Sequence, residues 1–157
     1  MTRPTALRLF LPVLGIPLAL AACTDDAQDL SDESVGAIAA SGGGVTVDVL
    51  PTVSWPGSNF LGAVRITNTG FASPISAFEI VFKLGGNAGV GITFNGNITA
   101  ADASGNRTAT GPSWLSFGPI QVGQSFEVGF NGTGVFTDST IVSAKINGTT
   151  IPISTGG

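Results

Sequence analysis

A chain of 157 residues with ten acids, six bases, one cysteine and neither histidine nor tyrosine is closed to several chemistries at once. Catalytic triads and zinc centres draw on histidine or clustered thiols, and a disulfide needs a second cysteine. The bases are few and scattered and the formal net charge is −4, which excludes the dense positive face that nucleic acid demands.

The first segment carries Arg3 and Arg8, then the uncharged apolar run from Leu9 to Leu20, then small residues up to Cys23. That three-part layout is expected of a secretory signal over residues 1–22. The apolar run is shorter than the roughly 20 residues needed to span a bilayer, and it is interrupted by Pro12 and Pro17. Leu20-Ala21-Ala22-Cys23 resembles the bacterial lipobox, which implies lipidation at Cys23 and a chain exported and tethered to a membrane, at an outer membrane or cell surface. An ordinary signal with an incidental cysteine is the alternative.

Residues 23–44 are expected to be a tether. Asp25, Asp26, Asp29, Asp32 and Glu33 stand without a base among them, and Ser41-Gly-Gly-Gly44 follows; acidic, Gly-rich composition of this kind favours a flexible spacer. From Val45 onward four bases nearly balance five acids, so the charge of the chain belongs mainly to the spacer.

Residues 45–154 are expected to fold as one domain, all-β, a two-sheet antiparallel β-sandwich of Ig-like or jelly-roll-like type, preceded by the signal peptide and flexible linker. Short stretches alternate apolar and polar residues between clusters of Gly, Asn, Ser and Pro. Val45, Val47 and Val49 share one face; Val64 and Ile66 share another before the turn Asn68-Thr-Gly70. Phe78, Ile80, Phe82 and Leu84 form the longest apolar face, opposed by Glu79 and Lys83, and make the best core candidate. Phe126, Val128 and Phe130 oppose Ser125, Glu127, Gly129 and Asn131. Ile141 to Ile146 and Thr150 to Ile153 close the chain around Asn147-Gly148, a dipeptide suited to a tight reversal.

Three aromatics fall outside this pattern. Trp55 lies in the turn-forming string Ser54-Trp-Pro-Gly-Ser-Asn59, and Phe94 lies in Thr93-Phe-Asn-Gly-Asn97. Trp114 is read on a strand face shared with Ser116, with Leu115 and Phe117 on the opposite, core-like face. Exposed rings leave a large apolar area against water, and the flat, partly apolar face of a pyranose covers such a ring while its edge hydroxyls bond to polar neighbours. Each stacked ring contributes about 2 kcal/mol, so three support modest affinity for a repetitive polymer. Capping of the core ends under a loop is the alternative for the two tryptophans, and loop packing for Phe94.

The order Trp55, Phe60, Val64-Arg-Ile-Thr-Asn-Thr-Gly70, Ile75-Ser-Ala-Phe-Glu-Ile-Val-Phe82, Phe94, Pro112-Ser-Trp114, Phe126-Glu-Val-Gly-Phe-Asn-Gly132 and Ile146-Asn-Gly-Thr149 resembles the family 2 carbohydrate-binding modules. The resemblance covers about Val45 to Ile153 and implies a β-sandwich that binds cellulose, chitin, xylan or a related β-glycan through Trp55, Phe94 and Trp114. It further implies a polar contact from Asn131, with Glu127 standing where the family often has an amide. Departures are Phe94 in place of the usual tryptophan, Ala63 where an asparagine commonly lines the strip, and the absence of the family's terminal disulfide.

The leading expectation is therefore a lipid-anchored surface protein that binds polysaccharide without catalysis, with no cofactor, no metal and no nucleic acid. A structural or adhesive surface lipoprotein whose aromatics contact another protein is the alternative. An enzyme is disfavoured: Glu79 and Glu127 are the only glutamates of the domain, and alternation makes both outward surface charges, whereas a glycosidase needs two carboxylates about 5–10 Å apart across a sugar. Sequons at Asn97, Asn106, Asn131 and Asn147 are read as turn chemistry.

Overall fold

The computed structural model describes residues 39–55 and 59–155; side chains are described for 41–51 and 59–154. The expected signal, Cys23 and the tether up to residue 38 lie outside the described residues. Eleven strands occur among the described ones: β1 (Ala39–Gly42), β2 (Val45–Trp55), β3 (Asn59–Asn68), β4 (Phe78–Leu84), β5 (Gly89–Phe94), β6 (Asn97–Ile98), β7 (Arg107–Thr110), β8 (Ser125–Thr133), β9 (Ser139–Ile146), β10 (Thr149–Ile151) and β11 (Ser154–Thr155). They form a six-stranded sheet in the order β11-β1-β2-β3-β8-β5 and a five-stranded sheet in the order β10-β9-β4-β7-β6. The strand pairs are antiparallel, so the expected all-β, two-sheet architecture is present.

The inward faces are those the alternation marked. Val45, Val47, Val49, Val64 and Ile66 meet Phe78, Ile80, Phe82, Ala144 and Ile146 in one apolar core. β4 lies between β9 and β7, and both Ile80 and Phe82 are completely buried. Glu79, on its outward side, pairs with Lys145 of the neighbouring strand at 3.6 Å, both side chains about half exposed.

β3 and β8 lock together by an exchange of phenylalanine and glycine. Phe60 stands opposite Gly132, and Gly62 opposite Phe130. Each ring lies over the partner glycine, where an added Cβ would collide with it. The missing side chains make room for the rings, which then meet edge to face at 6.0 Å and 81°, a favoured arrangement for aromatic quadrupoles.

Two corrections concern strand boundaries. The expected spacer ended at Gly44, but Ala39–Gly42 pairs with Val45–Asp48 on one side and with Ser154–Thr155 on the other. Gly43 and Gly44, at φ 57° and 80°, supply the two positive φ angles of a two-residue hairpin. The glycines are thus a turn and not slack. The string expected as a turn around Phe94 is the end of a strand, β5, with the reversal delayed to Asn95 at φ 59°.

Turn chemistry is clearest at Asn147-Gly148, where φ is 46° and 81°. The Asn147 carboxamide oxygen accepts from the Ser76 and Ala77 amides at 2.9 and 3.1 Å, and its nitrogen donates to the Pro74 carbonyl at 2.9 Å. Asn131, by contrast, is a mid-strand residue of β8 opposite Leu61, so turn chemistry does not apply there. Asn68 is fully buried. Its oxygen accepts from the Gly70 and Phe71 amides at 3.2 and 2.9 Å, and its nitrogen donates to the Ile120 carbonyl at 3.1 Å, so the end of β3 is fastened to the loop before β8.

Candidate functional site

β8 organises the site. On its outer face Glu127, Gly129 and Asn131 follow one another, spaced by about 7 Å as alternate residues of a strand are. The Gly129 row runs across four strands, from Leu50 through Ala63 and Gly129 to Phe94. A Cβ on Gly129 would lie 2.7 Å from Cδ2 of Phe94, so the Phe94 ring rests directly on the glycine backbone. One face of that ring is occupied by the sheet. The ring remains 40% exposed.

The charged row lies next to it. Asp48, Arg65 and Glu127 stand in register on three neighbouring strands, and Nε of Arg65 donates to Oε1 of Glu127 at 2.7 Å, with both side chains 41% exposed. Exposed pairs of this kind contribute about 1 kcal/mol or less; the geometric effect is to hold the Glu127 carboxylate beside Phe94's row. Burial raises the Asp48 carboxyl above its ordinary value of 3.8, and the nearby Arg65 charge pulls it partly back.

On the other side of the Gly129 row, Asn59, Ile92, Asn131 and Thr133 line a shallow hollow of about 430 Å³. It opens where β5 breaks register between Val90 and Thr93, the one extra residue leaving Ile92 69% exposed. A hollow with amides and a hydroxyl on its walls and an apolar rim can take a ligand with edge hydroxyls and apolar faces. Ile92 was not anticipated, because a bulge re-aims a side chain in a way that strict alternation does not reveal.

Trp114 is elsewhere than expected. Ser113–Ser116 is a short 3-10 helix and not a strand. Leu115 is buried as foreseen, at 1% exposure, but Phe117 is 91% exposed and not core-like. Period two was the wrong template: the Phe117 amide donates to the Trp114 carbonyl at 2.9 Å, the three-residue repeat of a 3-10 turn, and the Phe117 side chain is left in solvent. The Trp114 indole meets the Phe126 ring edge-on at 5.6 Å and 73° and stays 53% exposed.

Of the five expected contact residues, Phe94, Glu127 and Asn131 come together on the outer face of β8 or against it. Trp114 contacts β8 at Phe126, whose ring lies on the opposite, inward face of the strand and meets Phe78 of the other sheet. Trp55 is not in a turn; it ends β2, opposite Asn59, whose other partner is Thr133, and its side chain lies outside the described residues. Glu79 and Glu127 each pair with a base, in keeping with their reading as surface charges. Among the described residues there is no group of three or more His, Cys, Asp or Glu side chains able to hold a metal ion.

Residues 45–151 match the family model described as cellulose binding domain. Endoglucanase B of Cellulomonas fimi is 30% identical over 127 residues, which is 74% of this chain and 12% of that protein. Endoglucanase C of Cellvibrio japonicus (strain Ueda107) is 31% identical over 136 residues, 87% of this chain and 15% of that protein. The chain therefore spans less than a sixth of the length of these curated relatives. Among solved structures, the chitin-binding domain of Chi18aC from Streptomyces coelicolor matches with a TM-score of 0.48 at 25% identity, covering 67% of this chain and 91% of that one.

Proposed function

Because the chain belongs to the cellulose binding domain family, whose members are noncatalytic carbohydrate-binding modules, we propose that it holds an insoluble β-linked polysaccharide, cellulose, chitin, xylan or a related glycan, by stacking sugar rings on Phe94 and Trp114. Trp55 adds a third ring. Asn131 and Glu127 take sugar hydroxyls at the edges of the stack.

The observation that carries this reading is the support beneath Phe94. The ring lies on Gly129 with one face against the sheet and the remainder open, so the ligand meets a plane already fixed in place, and little side-chain entropy remains to be lost on binding. Glu127 and Asn131 flank it along the same strand. Trp114, braced by Phe126, offers a second plane.

We also propose that Cys23 carries a lipid, so that the domain acts as a tether between a membrane and the polymer. The lipobox-like string and the apolar run before it support this. Cys23→Ser is expected to move the chain from the membrane fraction to the soluble fraction, and a chain that fractionates with membranes regardless would refute lipidation.

Binding itself is tested by sedimentation of the chain with crystalline cellulose, chitin and xylan. Phe94→Ala and Trp114→Ala should each weaken adsorption about tenfold to thirtyfold, the loss of one stacked ring of about 2 kcal/mol. Absence of retention on all three polymers, with a specific protein recovered by crosslinking at the cell surface instead, would replace this reading with an adhesive one.

A further inference from the structure

Phe117 is the most exposed large apolar side chain among the described residues, at 91%, and nothing in the binding surface described above uses it. It is not a loose loop residue. The turn that bears it is pinned beneath by Leu115, which is 1% exposed, and its backbone is fastened by the Phe117 and Gly118 amides, which both donate to the Trp114 carbonyl at 2.9 and 3.1 Å. Ser116 Oγ donates to the Ser113 carbonyl at 2.8 Å and closes the same turn. Phe117 itself is helical at φ −101° and ψ −25° and closes the three-residue repeat that begins at Trp114.

The surroundings indicate the kind of partner. No acid or base occurs between Arg107 and Glu127, so the whole loop is neutral. Ser113, Ser116, Gln121 and Gln124 are exposed there, and a hollow of about 400 Å³ bordered by Trp114, Gly118, Pro119, Gln124 and Phe126 lies at the Trp114 ring. Two aromatic planes in a field of amides and hydroxyls without charge suit a neutral polymer of sugars, whose faces stack and whose hydroxyls bond to the rim. An anionic membrane or a charged protein would find no complementary group.

We propose that Phe117 is a further sugar-stacking residue, carried on the same 3-10 turn as Trp114, so that this end of the domain offers a neutral polysaccharide a second, separate ring. The proposal rests on the polysaccharide reading given above. It assigns to this turn a share of the affinity, and of the choice among polymers, that Trp114 alone would not have.

The test is adsorption of the full chain and of Phe117→Ala, Phe117→Trp and Trp114→Ala to crystalline cellulose, chitin and xylan, with melting curves as a check on folding. On the polymer that retains the parent chain, Phe117→Ala should weaken adsorption about tenfold or more, and Phe117→Trp should match or exceed the parent. An unchanged isotherm for Phe117→Ala beside a weakened one for Trp114→Ala overturns this proposal and leaves the polysaccharide reading standing. Failure of the parent chain to adsorb to any of the polymers overturns both. If Phe117→Ala leaves adsorption intact but releases the chain from phosphatidylcholine vesicles, the residue serves a lipid surface and the proposal falls.

Discussion

At Gly129 a single hydrogen in place of a methyl group decides where an aromatic ring can lie. The ring of Phe94 occupies the space that a Cβ would need, so Gly129→Ala should lift it from the sheet. Adsorption to polymer is expected to fall severalfold while the melting temperature changes by only about a few degrees; the same substitution placed on Phe94→Ala should cause no further loss. Asp48 offers a test of a different sort. Its carboxyl is raised by burial, so the folded chain binds that proton more tightly than the unfolded one, and stability is withheld at pH values above both pKa values and recovered as pH falls toward the unfolded value. Asp48→Asn should therefore raise the melting temperature at pH 7 and lose that advantage near about pH 3. Neither residue announced its role in the sequence. Gly129 read simply as a polar-face position, because alternation identifies faces and says nothing of which neighbour covers them.

Among the elements, those with strict alternation were legible: β4 buries Phe78, Ile80 and Phe82 and β8 buries Val128 and Phe130, with Leu84 and Phe126 only partly buried, and β2 and β3 bury Val45, Val47, Val49, Val64 and Ile66. Elements that depend on neighbours were not. β1 is made of small residues and owes its existence to two flanking strands; composition alone therefore read it as spacer. β5 is glycine-rich and bulged, and its pairing with β8 is a tertiary fact. The stretch around Trp114 failed for the opposite reason, since four residues can satisfy period two by chance while folding with period three. A chain begun at Val45 supplies the experiment for β1. With β1 removed, the edge of β2 is bared and β11 loses its partner, so a lower melting temperature and self-association by edge pairing are expected, measurable by calorimetry and sedimentation. An unaltered monomer of equal stability would show β1 to be dispensable.

On the scale of the whole molecule, entry and site lie apart. The described chain enters the larger sheet at β1, and Phe94 ends β5, four strands away; at about 4.8 Å per strand the separation is about 19 Å. The faces proposed to meet polymer are also nearly without net charge, since Glu127 is matched by Arg65 and the Trp114 loop has no ionisable side chain. Adsorption should then be almost unchanged between 0.05 and about 1 M sodium chloride, a range over which screening would erase an exposed ionic contact. A steep fall with salt would show that charge and not stacking does the holding.

The phenylalanine and glycine pairs carry a lesson about how such a domain can change. Positions 60 and 132, 62 and 130, and 94 and 129 are each occupied by one ring and one bare backbone. In a library randomised at both members of a pair, survivors should keep a large and a small partner together, and exchanging the two is the substitution most open to rescue. Inheritance at these sites would run by couples: a lone enlargement of the glycine is trapped until its ring shrinks, so drift in the binding face is gated by the strand beneath it.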